Sequence, residues 1–169
     1  MARARQAQSD ALLEYSDILR VFTDLTIHGK IPAETPKAAD MSNAPRGNKV
    51  AVVDDDESIR DAARTLFRSA GYSVFTFSSA EEFLNSSQIA ETGCLVVDIR
   101  MPGIDGLELQ RRLNEAGAGV PVIFLTAHDD RTNRWRAMKA GALGFLSKPF
   151  QAATLISAVQ DALTHHKTP

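Results

Sequence analysis

The chain of 169 residues, of which 44% are hydrophobic and 24% charged, is long enough for one folded domain with an extension, and this composition excludes general disorder. The formal net charge of -2 lacks the basic excess of a dedicated nucleic-acid binder, and no run of 18 apolar residues predicts a membrane span. A single cysteine, Cys94, excludes an intramolecular disulfide and favours a reducing compartment, so we expect a cytoplasmic protein.

The first 48 residues differ in pattern from the rest of the chain. Residues 10–28 predict a helix, because apolar side chains recur at intervals of three and four. The side chains of this apolar stripe are Leu12, Tyr15, Leu19 and Phe22. Residues 30–48 contain three prolines and no aromatic residue, which is typical of a linker. The apolar face of such a helix would dock on the following domain or pair with a second copy.

From Lys49 onwards, short apolar runs alternate with amphipathic stretches. The runs predict five strands, at 50–53, 74–77, 94–97, 120–125 and 143–146. The amphipathic stretches predict helices at 57–70, 80–85, 107–116, 129–140 and 152–163. Continuously apolar strands are typical of a parallel sheet that is covered by helices on both faces. We therefore predict a doubly wound α/β domain, with its functional site beyond the carboxyl ends of the strands.

We divide the chain accordingly into four parts. They are an extension with an amphipathic helix (1–29), a linker (30–48), an α/β domain (49–164) and a tail (165–169). The domain would supply the functional site, and the extension would either supply a packing or assembly element or have no functional role.

Charged and hydroxyl side chains follow four of the five predicted strands. In chain order they are Asp54, Asp55, Asp56, Asp98, Thr126 and Lys148. Each residue alone is more often a turn or helix-cap residue, but together they would meet at one edge of the sheet. Carboxylates that lie a few ångströms apart repel one another, and a hard cation such as Mg²⁺ relieves this repulsion. A lysine and a hydroxyl beside them fit the oxygens of a phosphoryl group, so the pattern indicates a phosphoryl site with one carboxylate as acceptor.

Four motifs in order resemble the receiver domain of two-component response regulators. They are VAVVDDDESIR, LVVDIRMPGIDG, VIFLTAHDD and AGALGFLSKPF, within the stretch from about Lys49 to about Leu163. The details are most similar to receivers that precede LuxR-type helix-turn-helix outputs. The resemblance implies a flavodoxin-like fold, with five parallel strands in the order 2-1-3-4-5 flanked by helices, here with an additional N-terminal helix.

The resemblance also implies the roles of the acidic residues. Asp98 would be the phosphoacceptor, and Asp54 and Asp55 would be the acidic pair, with Asp55 as the more direct Mg²⁺ ligand. Asp98 and the backbone carbonyl of Arg100 would complete the protein ligands of the metal. The phosphoryl donor would be a sensor histidine kinase or a phosphotransfer protein.

Three further residues receive roles from the same resemblance. Lys148 would contact the phosphoryl group, and the peptide bond to Pro149 would be cis. Thr126 and Phe145 would be a switch pair, in which the threonine hydroxyl turns towards the phosphoryl group and the aromatic ring moves inward. Independently of the resemblance, His128 follows Thr126 and Ala127, and it is either a tuning residue at the mouth of the site or an ordinary loop residue.

A basic stretch on the fourth predicted helix is a candidate partner surface. It contains Arg131, Arg134, Trp135, Arg136 and Lys139. In receivers this helix belongs to the usual partner face, so Trp135 would anchor a partner or a second copy in a homodimer. The alternative is that Trp135 packs partly against the core and the arginines form a solvated face.

These observations favour a single-domain response regulator that is phosphorylated on Asp98 and then switches partner binding or relays the group. The alternatives are the receiver portion of a longer DNA-binding regulator, and a binding module that acts without phosphorylation. A phosphatase of the haloacid dehalogenase kind would need a second aspartate where Arg100 stands, so we do not expect an enzyme. We expect no membrane contact, and no nucleic-acid binding by this chain, because no helix-turn-helix follows Leu163.

Overall fold

The computed structural model describes residues 48–127 and 131–165. The predicted N-terminal helix, the linker up to residue 47, His128 and the tail after His165 lie outside the described residues. Within the described part, the prediction of alternating strands and helices is confirmed.

The strands begin and end within two residues of the predicted bounds. They are β1 (Lys49–Val53), β2 (Ser73–Phe77), β3 (Cys94–Asp98), β4 (Val122–Thr126) and β5 (Gly144–Ser147). All of them are parallel and lie in the order β2-β1-β3-β4-β5, as the resemblance implied. The order reverses beside β1, so the carboxyl ends of β1 and β3 border the crevice where such sheets bind ligands.

A helix follows each strand. The helices are α1 (Glu57–Ser69), α2 (Ala80–Leu84), α3 (Gly106–Glu115), α4 (Arg131–Lys139) and α5 (Ala152–His165), with a short 3-10 helix at Ser87–Glu91. The 3-10 helix was not predicted. No helix in the described ranges has both the length and the apolar character needed to cross a membrane.

Alternate side chains of the central strands fill two cores, one on each face of the sheet. Ala51 and Val53 of β1 point into a core that also contains Phe124 and Leu109 of α3. Val50 and Val52 point to the opposite face, where the core also contains residues of α1 and α5. The two edge strands differ from the prediction of full burial, since most of β2 is half-buried and Ser147 of β5 is exposed.

Side-chain caps fix the starts of two helices directly after the crevice. The Asp56 carboxylate accepts a hydrogen bond of 2.8 Å from the backbone N–H of Ser58 and begins α1. The Asp105 carboxylate likewise accepts a bond of 2.8 Å from the N–H of Glu108 and begins α3. These caps define where the loops after β1 and β3 end, so the loop residues between strand and helix stay at the edge of the sheet.

Candidate functional site

Three aspartates converge at the carboxyl ends of β1 and β3. Val53 pairs with Val97 in the parallel ladder, so the following residues of both strands emerge side by side. One carboxylate oxygen from each of Asp54, Asp55 and Asp98 lies within 4.8 Å of the others. The predicted meeting of strand-end carboxylates is therefore present in the structure.

The three carboxylates differ in how far they are removed from water. Asp54 is only 1% exposed, Asp98 is partly buried, and Asp55 is exposed. Burial raises the pKa of Asp54 to about 6, Lys148 opposes this rise, and the nearby charge of Asp98 adds to it. Burial also raises the pKa of Asp98, which Lys148 and the backbone N–H groups of Arg100 and Ile99 counteract. The cluster therefore holds negative charge in a place that disfavours it.

Lys148 extends from the end of β5 into this cluster. Its ammonium nitrogen lies 3.4 Å from Oδ2 of Asp54 and 4.0 Å from Oδ2 of Asp98, and its side chain is 9% exposed. The backbone N–H of Lys148 donates a hydrogen bond of 2.6 Å to the carbonyl of Thr126, and the peptide bond to Pro149 is cis. One ammonium group cannot neutralise three carboxylates, so the site retains an excess of negative charge.

A hard divalent cation fits this arrangement of donors. The available ligand atoms are carboxylate oxygens, which Mg²⁺ prefers, and the exposed side of the cluster at Asp55 leaves room for metal-bound water. A cation would also offset the burial and the repulsion from Asp98 that raise the pKa of Asp54. The backbone N–H of Arg100 donates to the Asp98 carboxylate. The assignment of the Arg100 carbonyl as a metal ligand stays a prediction.

Arg60 of α1 stabilises the loop that carries the first two aspartates, a role that the sequence did not indicate. Its guanidinium donates hydrogen bonds of 2.8 Å to the carbonyl of Asp54 and 3.1 Å to that of Asp55. The backbone N–H of Asp56 donates a bond of 2.9 Å to the Asp54 carboxylate. These bonds hold the backbone of both aspartates and the carboxylate of Asp54 in place. The ESIR sequence at the start of α1 carries no local signal for them.

Glu81 of α2 anchors the loop that follows Asp98, and it was also missed. Its carboxylate accepts a hydrogen bond of 2.9 Å from the backbone N–H of Ile104, 23 residues away. Backbone hydrogen bonds lower the pKa of Glu81. At Gly103, whose φ is +76°, a β-carbon would lie 2.5 Å from the Glu81 carboxylate. Glycine at this position therefore permits both the left-handed turn and the close approach.

The predicted switch residues lie on neighbouring strands. Thr126 ends β4 and is 3% exposed, and Phe145 of β5 is buried beside Phe124, with 6.3 Å between the ring centroids. The guanidinium carbon of Arg134 lies 5.7 Å from the centroid of the Phe145 ring. The aromatic ring thus occupies an inward position, and the coupled movement of the pair stays a prediction.

The basic stretch of α4 lies on the surface. Trp135 is 60% exposed, so most of its side chain lies away from the core. The ammonium group of Lys139 lies 4.7 Å from the centroid of the Trp135 ring, a cation–π distance. The structure therefore leaves Trp135 and its basic neighbours available for contact with another chain or segment.

Known proteins are similar to the part of the chain that forms the α/β domain. The family model of the response regulator receiver domain matches residues 50–160. The response regulator protein TodT of Pseudomonas putida is 42% identical over 135 residues, which are 80% of this chain and 58% of TodT. The transcriptional regulatory protein FixJ of Azorhizobium caulinodans is 44% identical over 119 residues, or 70% of this chain and 56% of FixJ. The chain therefore spans less than two thirds of the length of these curated relatives.

A solved structure of a receiver domain has the same fold as this chain. The receiver domain protein from Clostridium thermocellum superposes with a TM-score of 0.67 at 31% sequence identity. The superposition covers 70% of this chain and 96% of that chain. A chain with little more than the matched part thus forms this fold by itself.

Proposed function

Since this chain belongs to the response regulator receiver-domain family of two-component systems, we propose that it accepts a phosphoryl group on the Asp98 carboxylate and thereby acts as a signalling switch. Its membership confirms the resemblance in the four sequence motifs. The observation that carries the proposal is the position of Asp98, within 4.8 Å of two further carboxylates and 4.0 Å from the Lys148 ammonium.

Burial and charge favour Asp98 over its two neighbours as the acceptor. Asp54 is almost fully enclosed, so a donor protein could not reach its carboxylate. Asp55 is exposed to water, whereas the side chain of Asp98 is 13% exposed and lies near Lys148. An acceptor needs both access to the donor and a nearby positive charge that stabilises the transferred oxygens. Asp98 meets both conditions.

The proposed step is an in-line transfer from a phosphohistidine of a sensor kinase or phosphotransfer protein. One Asp98 carboxylate oxygen bonds to phosphorus while the bond from phosphorus to the imidazole nitrogen breaks. The imidazole retains that electron pair and takes up a proton. Lys148 and the hydroxyl of Thr126 hold the phosphoryl oxygens, while Asp54 and Asp55 position the metal site. When bound there, Mg²⁺ supplies positive charge that neutralises the carboxylates and the transferred group.

The product of this step is a modified protein, which distinguishes the proposal from enzymatic turnover. The phosphoryl group stays on Asp98 until water or another protein removes it. We infer that Thr126 and Phe145 transmit the new charge to the surface of α4, where the Arg134 guanidinium lies 5.7 Å from the Phe145 ring, and that this surface then changes its partner affinity. Relay of the group to a second phosphotransfer protein uses the same acceptor.

A second proposal concerns the larger context of the chain. Relatives such as FixJ are named transcriptional regulatory proteins, and this chain spans 56% of FixJ. We propose as an alternative that the domain serves as the receiver portion of a DNA-binding regulator. Mobility-shift measurements on the product of the complete gene, with the 169-residue chain as the control, separate the two cases: DNA binding by a longer product alone would support this alternative.

Labelling with a small phosphodonor tests the main proposal. With acetyl phosphate and Mg²⁺, intact mass measurement should show a single added phosphoryl group, and chelation of the metal should prevent it. Asp98→Asn should abolish the addition. Asp105→Asn is the matched control, because it makes the same chemical change at the cap of α3, where asparagine caps equally well. Undiminished labelling of Asp98→Asn would overturn the assignment.

A further inference from the structure

Helix α4 and the turn after it form an exposed surface that is both apolar and basic. Among the described residues, the large hydrophobic side chains with high exposure are Trp135 (60%), Met138 (46%) and Leu143 (50%). Trp135 and Met138 are three residues apart and lie on one side of the helix, and Leu143 lies in the turn between α4 and β5. We call these three residues, with the basic residues of α4, the α4 surface.

The charge of the α4 surface has one sign. Helix α4 contains three arginines and one lysine and no acidic residue. Ala137 is its single buried residue, so most of the helix faces away from the core. Apolar side chains that are exposed together within a basic rim are typical of an interaction site, and their occupant should be apolar and acidic.

The N-terminal segment of the same chain contains both apolar and acidic side chains. Residues 10–25 carry the apolar stripe at helical spacing. The segment also contains four carboxylates and only one basic residue; in order they are Asp10, Glu14, Asp17, Arg20 and Asp24. At helical spacing, Glu14 lies beside the apolar stripe, whereas Asp10, Asp17 and Asp24 lie on the opposite side of the helix. Glu14 therefore complements the basic border of the α4 surface.

The linker is long enough to let the N-terminal segment reach the α4 surface. Residues 26–47 separate the segment from Asn48, and 22 residues span at most about 70 Å when extended. Helix α4 ends at Lys139, where the chain turns into β5, and β1 begins at the same edge of the parallel sheet. Only β3 lies between β1 and β4, a distance of about 10 Å across the sheet. The linker can therefore reach the α4 surface within one molecule.

We propose that residues 10–25 fold back as an amphipathic helix and cover the α4 surface of their own chain. Leu19 and Phe22 would pack on Trp135 and Met138, and Glu14 would face the arginines. The occupied surface would be closed to other partners, so the segment would act as a built-in competitor. This contact does not require phosphorylation of Asp98.

Trp135 provides the readout, because it is the only tryptophan in the chain. In the full chain at low protein concentration, acrylamide should quench its fluorescence weakly. The double substitution Leu19→Asp with Phe22→Asp should increase quenching several-fold and shift the emission to longer wavelength. Leu13→Asp with Val21→Asp is the matched control, because at helical spacing these two positions lie off the apolar stripe. The control should quench like the parent chain.

A second pair of variants tests the charge complementarity. In the full chain, Arg136→Glu should also increase quenching, whereas Arg68→Glu on α1, which packs on the opposite face of the sheet, should not. Equal quenching of the parent and the Leu19→Asp/Phe22→Asp chain would overturn the proposal. Protection that grows with protein concentration would also overturn it, because a second copy would then be the occupant.

Discussion

The carboxylate cluster and helix α4 differ in how many neighbours fix them. Asp54 is held by a backbone N–H, by Arg60 through its carbonyl and by Lys148 from another strand. Helix α4 buries one side chain, Ala137, and most of its other side chains are exposed. The first region thus keeps its geometry through contacts from several elements, whereas the second can change its contacts at little cost to the core. This difference suits a site that receives a signal and a surface that transmits it.

The largest effect on stability should come from the pH dependence of Asp54. Its pKa is raised from the usual 3.8 to about 6, so between these values the folded state retains a proton that the unfolded chain has released. The resulting stabilisation is complete below 3.8 and is lost as pH rises through about 6. It amounts to at most about 3 kcal/mol. Urea unfolding of the metal-free protein should therefore show a free energy of unfolding that falls over this range.

Two comparisons sharpen this prediction. Asp54→Asn should remove most of the fall, because asparagine does not titrate. Addition of Mg²⁺ should stabilise the parent protein above pH 6 more than below it, since the ion binds the ionised carboxylates. A parent and an Asp54→Asn protein with the same pH dependence would show that this region is not strained by buried charge.

The next largest loss of stability should come from a substitution at Gly106, which lies between Asp98 of the site and Phe124 of the core. A β-carbon at this position would collide with the carbonyl of Asp98 and would lie 3.1 Å from the ring of Phe124. We expect Gly106→Ala to reduce the free energy of unfolding by about 2 kcal/mol, within the usual range for overpacking.

Gly71→Ala serves as the comparison for this change. Gly71 has a φ of +87°, and a β-carbon added there would have no neighbouring atom within 4 Å, so only backbone strain should oppose alanine. That strain is about 1 kcal/mol. A smaller loss for Gly106→Ala than for Gly71→Ala in urea unfolding would argue that the loop after β3 adapts easily.

The smallest loss of stability should come from removing the hydrogen bonds that attach α4 to α3. The buried Gln110 donates to the carbonyls of Ala137 and Ala140 at 3.4 Å, and Asn114 donates to Ala140 at 2.9 Å. The side-chain oxygen of Gln110 has no hydrogen-bond partner among the described residues. Gln110→Met keeps the volume and removes that unsatisfied acceptor, so we expect urea unfolding to show a loss of no more than about 1 kcal/mol.

The double substitution Gln110→Met with Asn114→Ala should cost more than the sum of the single changes, because both side chains share the Ala140 carbonyl. Hydrogen exchange should also become faster in α4 than in α3. Strict additivity, with unchanged exchange in α4, would indicate that the helix does not depend on these bonds.

The sequence predicted the carboxylate cluster because strand-end position is a property of the topology. Once five parallel strands are assigned, the residues after β1 and β3 must be neighbours at the carboxyl edge. Strand bounds were less accurate: β4 begins at Val122 rather than residue 120. Pro121 has no N–H for the ladder, although its carbonyl accepts a hydrogen bond from Leu95.

Contacts between distant parts of the chain were not predictable in this way. Glu81 reaches Ile104 across 23 residues, and nothing in the local pattern of α2 indicates this bond. The sequence also left the position of Trp135 open, because a short basic helix with one buried residue has no clear apolar face. The short 3-10 helix at 87–91 was missed because it contains no buried residue and so no apolar periodicity.

The most direct test of Asp98 as the acceptor is to identify the phosphorylated side chain chemically. After reaction with acetyl phosphate and Mg²⁺, borohydride converts an aspartyl phosphate into homoserine, and peptide mass spectrometry locates the change. We predict homoserine at position 98 and unmodified Asp54 and Asp55. Homoserine at position 55, or at no position in a protein that binds Mg²⁺, would contradict the assignment of Asp98 as the acceptor.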